Sequence, residues 1–189
     1  MRHLRTITII AALFLAAPAA SLAKSKTIGS ATAGTPTMNI CLFNVDCTYI
    51  DIEHGPRDVV ARKGTIVSWS VNSGSAGGDV QLRILRPKGQ GKLKFVASSP
   101  VETVTAPGIN TFPVSIKVKK GDVLALRNTS SGLYMAVGDA DDSVSYFNPS
   151  LAAGSTGKPT HSTLTDSGSG QGDAGTPHLR LLLSAKEKY

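Results

Sequence analysis

The chain has 189 residues, two cysteines, one tryptophan and a formal net charge of +7. That length suits one domain with a buried core, and two cysteines are too few to hold a metal by themselves. The basic excess favours solubility and contact with anionic surfaces but names no partner.

The first element is a targeting segment. A basic start, "MRHLR", precedes an apolar run from Ile7 to Ala20 and a small-residue exit, "SLA". This is the pattern of a secretory signal peptide over residues 1–23, cleaved after Ala23. The apolar run is shorter than the roughly 20 residues of a spanning helix, and no later stretch is long and apolar enough to span, so no transmembrane anchor is expected after cleavage. Residue 24 is Lys rather than Cys, which gives no sign of a lipid-modified amino terminus. The expected location is secreted or extracellular.

Residues 24–39 are Ser, Thr, Gly and Ala without periodicity and read as a flexible leader, with the fold beginning near Ile40. Cys41 and Cys47 form an isolated pair, which in an exported chain predicts one disulfide. Closing so small a loop contributes about 2 kcal/mol in the chain-entropy view. The C-x-x-C spacing of a redox pair is absent.

From Cys47 onward the chain is a succession of short runs with period two, broken by Gly, Pro, Asp and Asn, without a sustained helical repeat. "CTYIDI" is the first strand. In "GTIVSWSVNSG", Val67, Trp69 and Val71 are expected on the apolar face, opposite Ile66, Ser68 and Ser70. "VQLRIL" places Val80, Leu82 and Ile84 inward, and "LKFVA" continues the hairpin with Leu93, Phe95 and Ala97 on one face. In "NTFPVSIKVKKGD", Phe112, Val114, Ile116 and Val118 point inward, and Pro113 marks an edge strand. "VLALRN", "LYMAVG" and "SVSYF" follow. Residues 148–177 lack an apolar repeat and read as one long mobile loop. The closing run "HLRLLLSA" is expected to return to the middle of a sheet. About eight to ten short strands with these turns predict an all-β, two-layer antiparallel sandwich of jelly-roll or Greek-key type over residues 40–189.

The strand "GTIVSWSV", the turn after "LRILRP", the run "NTFPVSIKVKKGDVLAL" and the final apolar strand resemble a domain that recurs in secreted bacterial proteins without an assigned function. The resemblance covers about residues 40–189. It implies a β-sandwich and carries over no catalytic or binding residue, because sandwich folds host many unrelated activities.

The residues that could carry chemistry are few. Trp69 is a candidate sugar platform, but its alternating apolar position predicts a core residue. Tyr49, Tyr134 and Tyr146 are the alternative exposed aromatics. Asp139, Asp141 and Asp142 offer hard oxygen ligands for Ca²⁺. They do not form an EF-hand loop, since counting from Asp139 the sixth position is Val144 and the twelfth is Ser150. Arg83, Arg86, Lys88, Lys92 and Lys94, with Lys117, Lys119 and Lys120, read as a solubilising basic face. The outward positions beside them lack interleaved aromatics, so nucleic acid is not an expected partner. "GQGDAG", Gly170 to Gly175, matches a phosphate-loop pattern by composition only, since it follows no strand and opens no helix. His54, His161 and His178 are scattered, and neither a G-x-S-x-G elbow nor an H-E-x-x-H pair occurs. The expectation is a noncatalytic extracellular or cell-envelope binding module, with a glycan or wall polymer as ligand class. The alternative is a hydrolase whose site is built on the long loop from His161, Asp166 or Asp173.

Overall fold

The computed structural model describes residues 23–37, 46–51, 58–75, 77–129, 132–138, 142–161 and 178–189. Among these residues the secondary structure is entirely β, as the period-two runs require. The strands are β1 (Ser25–Gly29), β2 (Cys47–Asp51), β3 (Gly64–Ser73), β4 (Asp79–Pro87), β5 (Leu93–Ser98), β6 (Glu102–Thr103) and β7 (Gly108–Val118). They continue as β8 (Val123–Asn128), β9 (Met135–Val137), β10 (Val144–Phe147), β11 (Thr156–Gly157), β12 (Thr160–His161), β13 (Leu179–Leu181) and β14 (Leu183–Lys188). A four-stranded sheet runs β1-β14-β3-β7, and a larger sheet runs β11-β5-β4-β8-β2-β10-β12 with β6 beside β4. β13 pairs with β9, and every pairing is antiparallel.

In the four-stranded sheet one row of facing residues crosses all the strands: Ile28, Ala185, Trp69 and Phe112. Directly opposed antiparallel residues lie on the same face, so this row is a continuous apolar strip. Trp69 is only 1% exposed. Its ring lies 4.8 Å from that of Phe112, tilted by 39°. β14 is interior, but the expected single strand "HLRLLLSA" is split: Leu179–Leu181 form β13 beside β9, and β14, "LSAKEK", begins at Leu183 and alternates. β7 is at the edge, where Pro113 need not supply a ladder hydrogen bond.

The phase of β3 differs from the simple alternation. Val67 was expected inward beside Trp69, yet Ile66 is fully buried and Val67 only half-buried. The cause is a register slip: Lys186 faces Ser68 and Glu187 faces Ile66, so Val67 has no opposite residue in β14. One extra residue turns the strand, and Ile66 and Trp69, three apart, come to share a face.

The larger sheet is apolar on both faces. Val80, Leu82 and Ile84 of β4, Leu124 and Leu126 of β8, and Tyr49 of β2 join Trp69, Val71 and Leu183 in one core cluster that draws on both sheets. On the other face Ile50, Leu85, Leu93, Phe95, Val123, Ala125 and Phe147 form a second cluster, with Val59 and Leu151 packed against it. A slip between β4 and β5 pairs Ile84 with Ala97 but Leu85 with Phe95. Ala97 therefore turns to the first cluster while Leu93 and Phe95 remain in the second, which corrects their expected common face.

Two further expectations change. Within the expected leader, Ser25–Gly29 is a strand in full register with β14, and Ile28 is 2% exposed. A buried isoleucine and a ladder of backbone bonds hold this segment although its sequence is small and polar. Residues 148–161, assigned to the mobile loop, are likewise built into the fold. The Phe95 N–H donates to the Ser155 carbonyl at 3.0 Å, β11 pairs with β5 and β12 pairs with β10. The rest of that loop, the signal segment through residue 22 and Cys41 lie outside the described residues. Cys47 is fully buried, and no described cysteine is free.

Candidate functional site

The basic hairpin separates into two populations. Arg83, expected on a solvated face, is 6% exposed. Its Nη1 donates to Thr48 Oγ1 at 3.1 Å and to the Leu151 carbonyl at 2.9 Å, and its guanidinium lies 4.5 Å from the Phe95 ring centre. Burial, with the charge of Arg127 nearby, lowers its pKa to about 10, against the opposing pull of Asp46. Arg127 in turn donates to both oxygens of Asp46 at 2.7 and 2.9 Å. Burial pushes the Asp46 carboxyl up, but hydrogen bonds from Arg127 and Ser150 and the charges of Arg127 and Arg83 outweigh it and hold the pKa below the ordinary value. Arg86 donates bidentately to Asp122 at 2.7 and 2.9 Å, and the Lys119 N–H donates to the same carboxylate at 2.8 Å. These arginines tie strands together. Lys88, Lys92, Lys119 and Lys120 are exposed and form the remaining basic face.

The predicted aromatics are core residues: Tyr49 and Tyr134 are fully buried and Tyr146 packs against the main cluster. Of the acidic trio, Asp139 and Asp141 lie outside the described residues. Asp142 is 2% exposed, and its Oδ2 accepts an ion-pair contact from Arg180 Nη2 at 2.6 Å. A cation bound there would compete with a guanidinium for that oxygen. His54, Asp166, Asp173 and the segment Gly170–Gly175 lie outside the described residues, and His178 is exposed at the start of β13.

A concave site lies elsewhere, on the outer face of the larger sheet. A pocket of about 440 Å³ is lined by Asp51, Val59, Pro87, Gly89, Gly91, Lys92, Leu93, Gly121 and Val123. Two tight turns shape it. In the β4–β5 connection Gly89, Gln90 and Gly91 all have positive φ, which the two glycines adopt without penalty. Lys88 and Lys92 close that turn, with the Lys88 N–H donating to the Lys92 carbonyl at 2.9 Å. The second turn pivots on Gly121, φ +85°, and is held by Asp122 and its three charged or backbone donors. Val59 forms an isolated bridge to Val123, which closes the remaining wall.

The floor is the open end of the second apolar cluster, since Leu93, Val123 and Val59 belong to both. Among the described lining residues there is no aromatic ring, histidine, serine or cysteine, and Asp51 is the one carboxylate. This set can hold an apolar group and contact charge at its rim. It contains neither a nucleophile with an adjacent base nor a stacking platform for a sugar. Sequence reasoning missed the pocket because it assigned the larger sheet one apolar face. The available signal was the near-continuous apolar character of "LRIL" and "VLAL", which marks strands buried on both sides.

Comparison with protein-family models, curated proteins and solved structures finds no match for this chain.

Proposed function

We propose that the chain is a secreted, noncatalytic β-sandwich domain that binds an apolar group of its ligand in the pocket between the β4–β5 turn and the Gly121 turn. The observation that carries this reading is the recess of about 440 Å³ floored by Val59, Leu93 and Val123. Pockets of about 300–1,000 Å³ with an apolar lining and few polar groups are the usual form of a small-ligand site. The signal-peptide pattern and the resemblance to secreted bacterial domains support export, and a core cluster shared by both sheets supports a two-layer arrangement. A Cys41–Cys47 disulfide belongs to the same proposal. A glycan or wall polymer would have to bind without Trp69, whose ring is inside the core. The acids of the alternative hydrolase, Asp166 and Asp173, lie outside the described residues, and no observation favours that reading.

The test uses N-phenyl-1-naphthylamine, a neutral probe that fluoresces in apolar surroundings. The folded protein is expected to bind it saturably. Val59→Phe, which fills the pocket from a half-buried position, is expected to weaken binding about tenfold, a change of about 1.4 kcal/mol, with the unfolding midpoint unchanged. Absence of a saturable signal, or equal binding by Val59→Phe, would sink the reading.

A further inference from the structure

We infer that the pocket's ligand is a monomeric anionic amphiphile, with its alkyl chain on the apolar floor and a carboxylate or phosphate head at a lysine rim. The inference rests on the binding reading above and names the ligand class for that same site.

The rim charge comes from three separate parts of the chain. Lys92 lines the pocket, and exposed Lys88 sits between two of its lining residues, Pro87 and Gly89. Exposed Lys119 and Lys120 lead into Gly121, another lining residue. Lys158, between β11 and β12, brings its Cε to within 3.4 Å of the position a Cβ on Gly91 would take. Among the described residues, two acids lie near this group. Asp122 is fully buried, with its two oxygens committed to Arg86 and the Lys119 N–H. Asp51 is the one carboxylate among the described lining residues and is half-buried at the end of β2.

Lysines spread over a solubilising surface need no common centre. Here Lys92 lines a hollow floored by Val59, Leu93 and Val123, and the other lysines adjoin its lining residues Pro87, Gly89, Gly91 and Gly121, so a bound molecule meets hydrocarbon on the floor and positive charge beside it. An alkyl chain gains by leaving water on that floor. A head group of negative charge gains from the rim and remains partly solvated there, so its desolvation is small. A neutral or cationic head on the same chain lacks that second contribution.

Three twelve-carbon probes, each below its micelle threshold, separate the contributions: dodecanoate, dodecyl maltoside and dodecyltrimethylammonium, displacing N-phenyl-1-naphthylamine from the mature protein. Dodecanoate is expected to displace it at a concentration at least tenfold lower than the other two, and the gap should shrink as salt is raised. The combined variant Lys88→Gln, Lys120→Gln, Lys158→Gln is expected to lose most of that gap while keeping its affinity for the neutral probe and its unfolding midpoint. Asp51→Asn is expected to tighten dodecanoate binding a few-fold. Neutral-probe binding that Val59→Phe blocks, together with equal displacement by all three amphiphiles, overturns this inference and leaves the apolar pocket standing. No neutral-probe binding overturns both. Binding to phosphatidylglycerol vesicles without displacement by dodecanoate also overturns it, in favour of a membrane-surface contact.

Discussion

Trp69→Ala is expected to destabilise the protein by about 3–5 kcal/mol, the range for removing a large aromatic from a packed core. The side chain is 1% exposed, occupies the middle of the row Ile28–Ala185–Trp69–Phe112 and packs against the Phe112 ring. Alanine removes that contact and leaves a cavity on the inward face of β3. Because Trp69 is the one tryptophan in the chain, its fluorescence reports this position alone. Acrylamide is expected to quench it weakly in the folded state and strongly after unfolding. Trp69→Phe provides the control. The indole Nε1 is buried without a hydrogen-bond partner among the described residues, so phenylalanine gives up packing but removes an unsatisfied donor, and its cost is expected to be well below that of alanine. Ready quenching in the native protein with an unchanged midpoint for Trp69→Ala would overturn the core assignment.

Glu187→Leu is expected to act in the opposite direction, stabilising the protein by about 1–3 kcal/mol at neutral pH, the cost of an unsatisfied buried polar group. Glu187 occupies an inward position of β14, opposite Ile66 in β3 and Lys26 in β1. It is 0% exposed, and neither carboxylate oxygen has a hydrogen-bond partner among the described residues. Gly64 passes so close that a Cβ there would lie 2.7 Å from Glu187 Oε1. Burial raises the pKa of this carboxyl, against the opposing charges of Lys26 and Arg62.

The pH dependence follows from that direction. The folded protein holds the Glu187 proton at a pH where the unfolded chain has already released it. Stability from this group is therefore present below the ordinary carboxylate range and falls as the pH rises through that range to the raised native value. In Glu187→Leu this part of the pH slope should vanish. Glu187→Gln should also lose the slope, with a smaller stabilisation because its amide remains buried. Chemical denaturation from acid to neutral pH reads both effects. A destabilised leucine variant with the parental slope would mean that the carboxylate is satisfied in solution.

The residues that behaved as read are those whose partners lie on the same face of one strand or at its end. Val80, Leu82 and Ile84 are buried together, and the inward row of β7 is the expected Phe112, Val114, Ile116 and Val118, of which the last two are buried. Such faces depend on local alternation alone. Single-residue slips defeat that logic. Val67 and Val96 fall at register shifts, and beyond each the inward set changes parity, so Ile66 replaces Val67 and Ala97 parts from Phe95. A slip is a property of two strands, and its signal is absent from either one.

The candidate site was less legible for a related reason. Arg83 and Leu85 sit on a face that alternation assigns to solvent, and what covers part of that face is Leu151 with the chain around it, far along the sequence. The pocket is where this cover stops. Its lining comes from the β4–β5 turn, the Gly121 turn and Val59, with Lys158 of the β11–β12 connection close to Gly91, and only long-range pairing brings these together.

The sequence by itself determined that this chain is built of short antiparallel strands, that Trp69 faces a core and that the last strand runs through a sheet. All three follow from hydrophobic period and turn chemistry, which are local. Tertiary structure decided that a polar N-terminal segment becomes β1, that the larger sheet buries both faces, and that a carboxylate at Glu187 is enclosed without a hydrogen-bond partner among the described residues. Each of these depends on which distant segment lies alongside, and free energy from burial is gained only when that segment arrives.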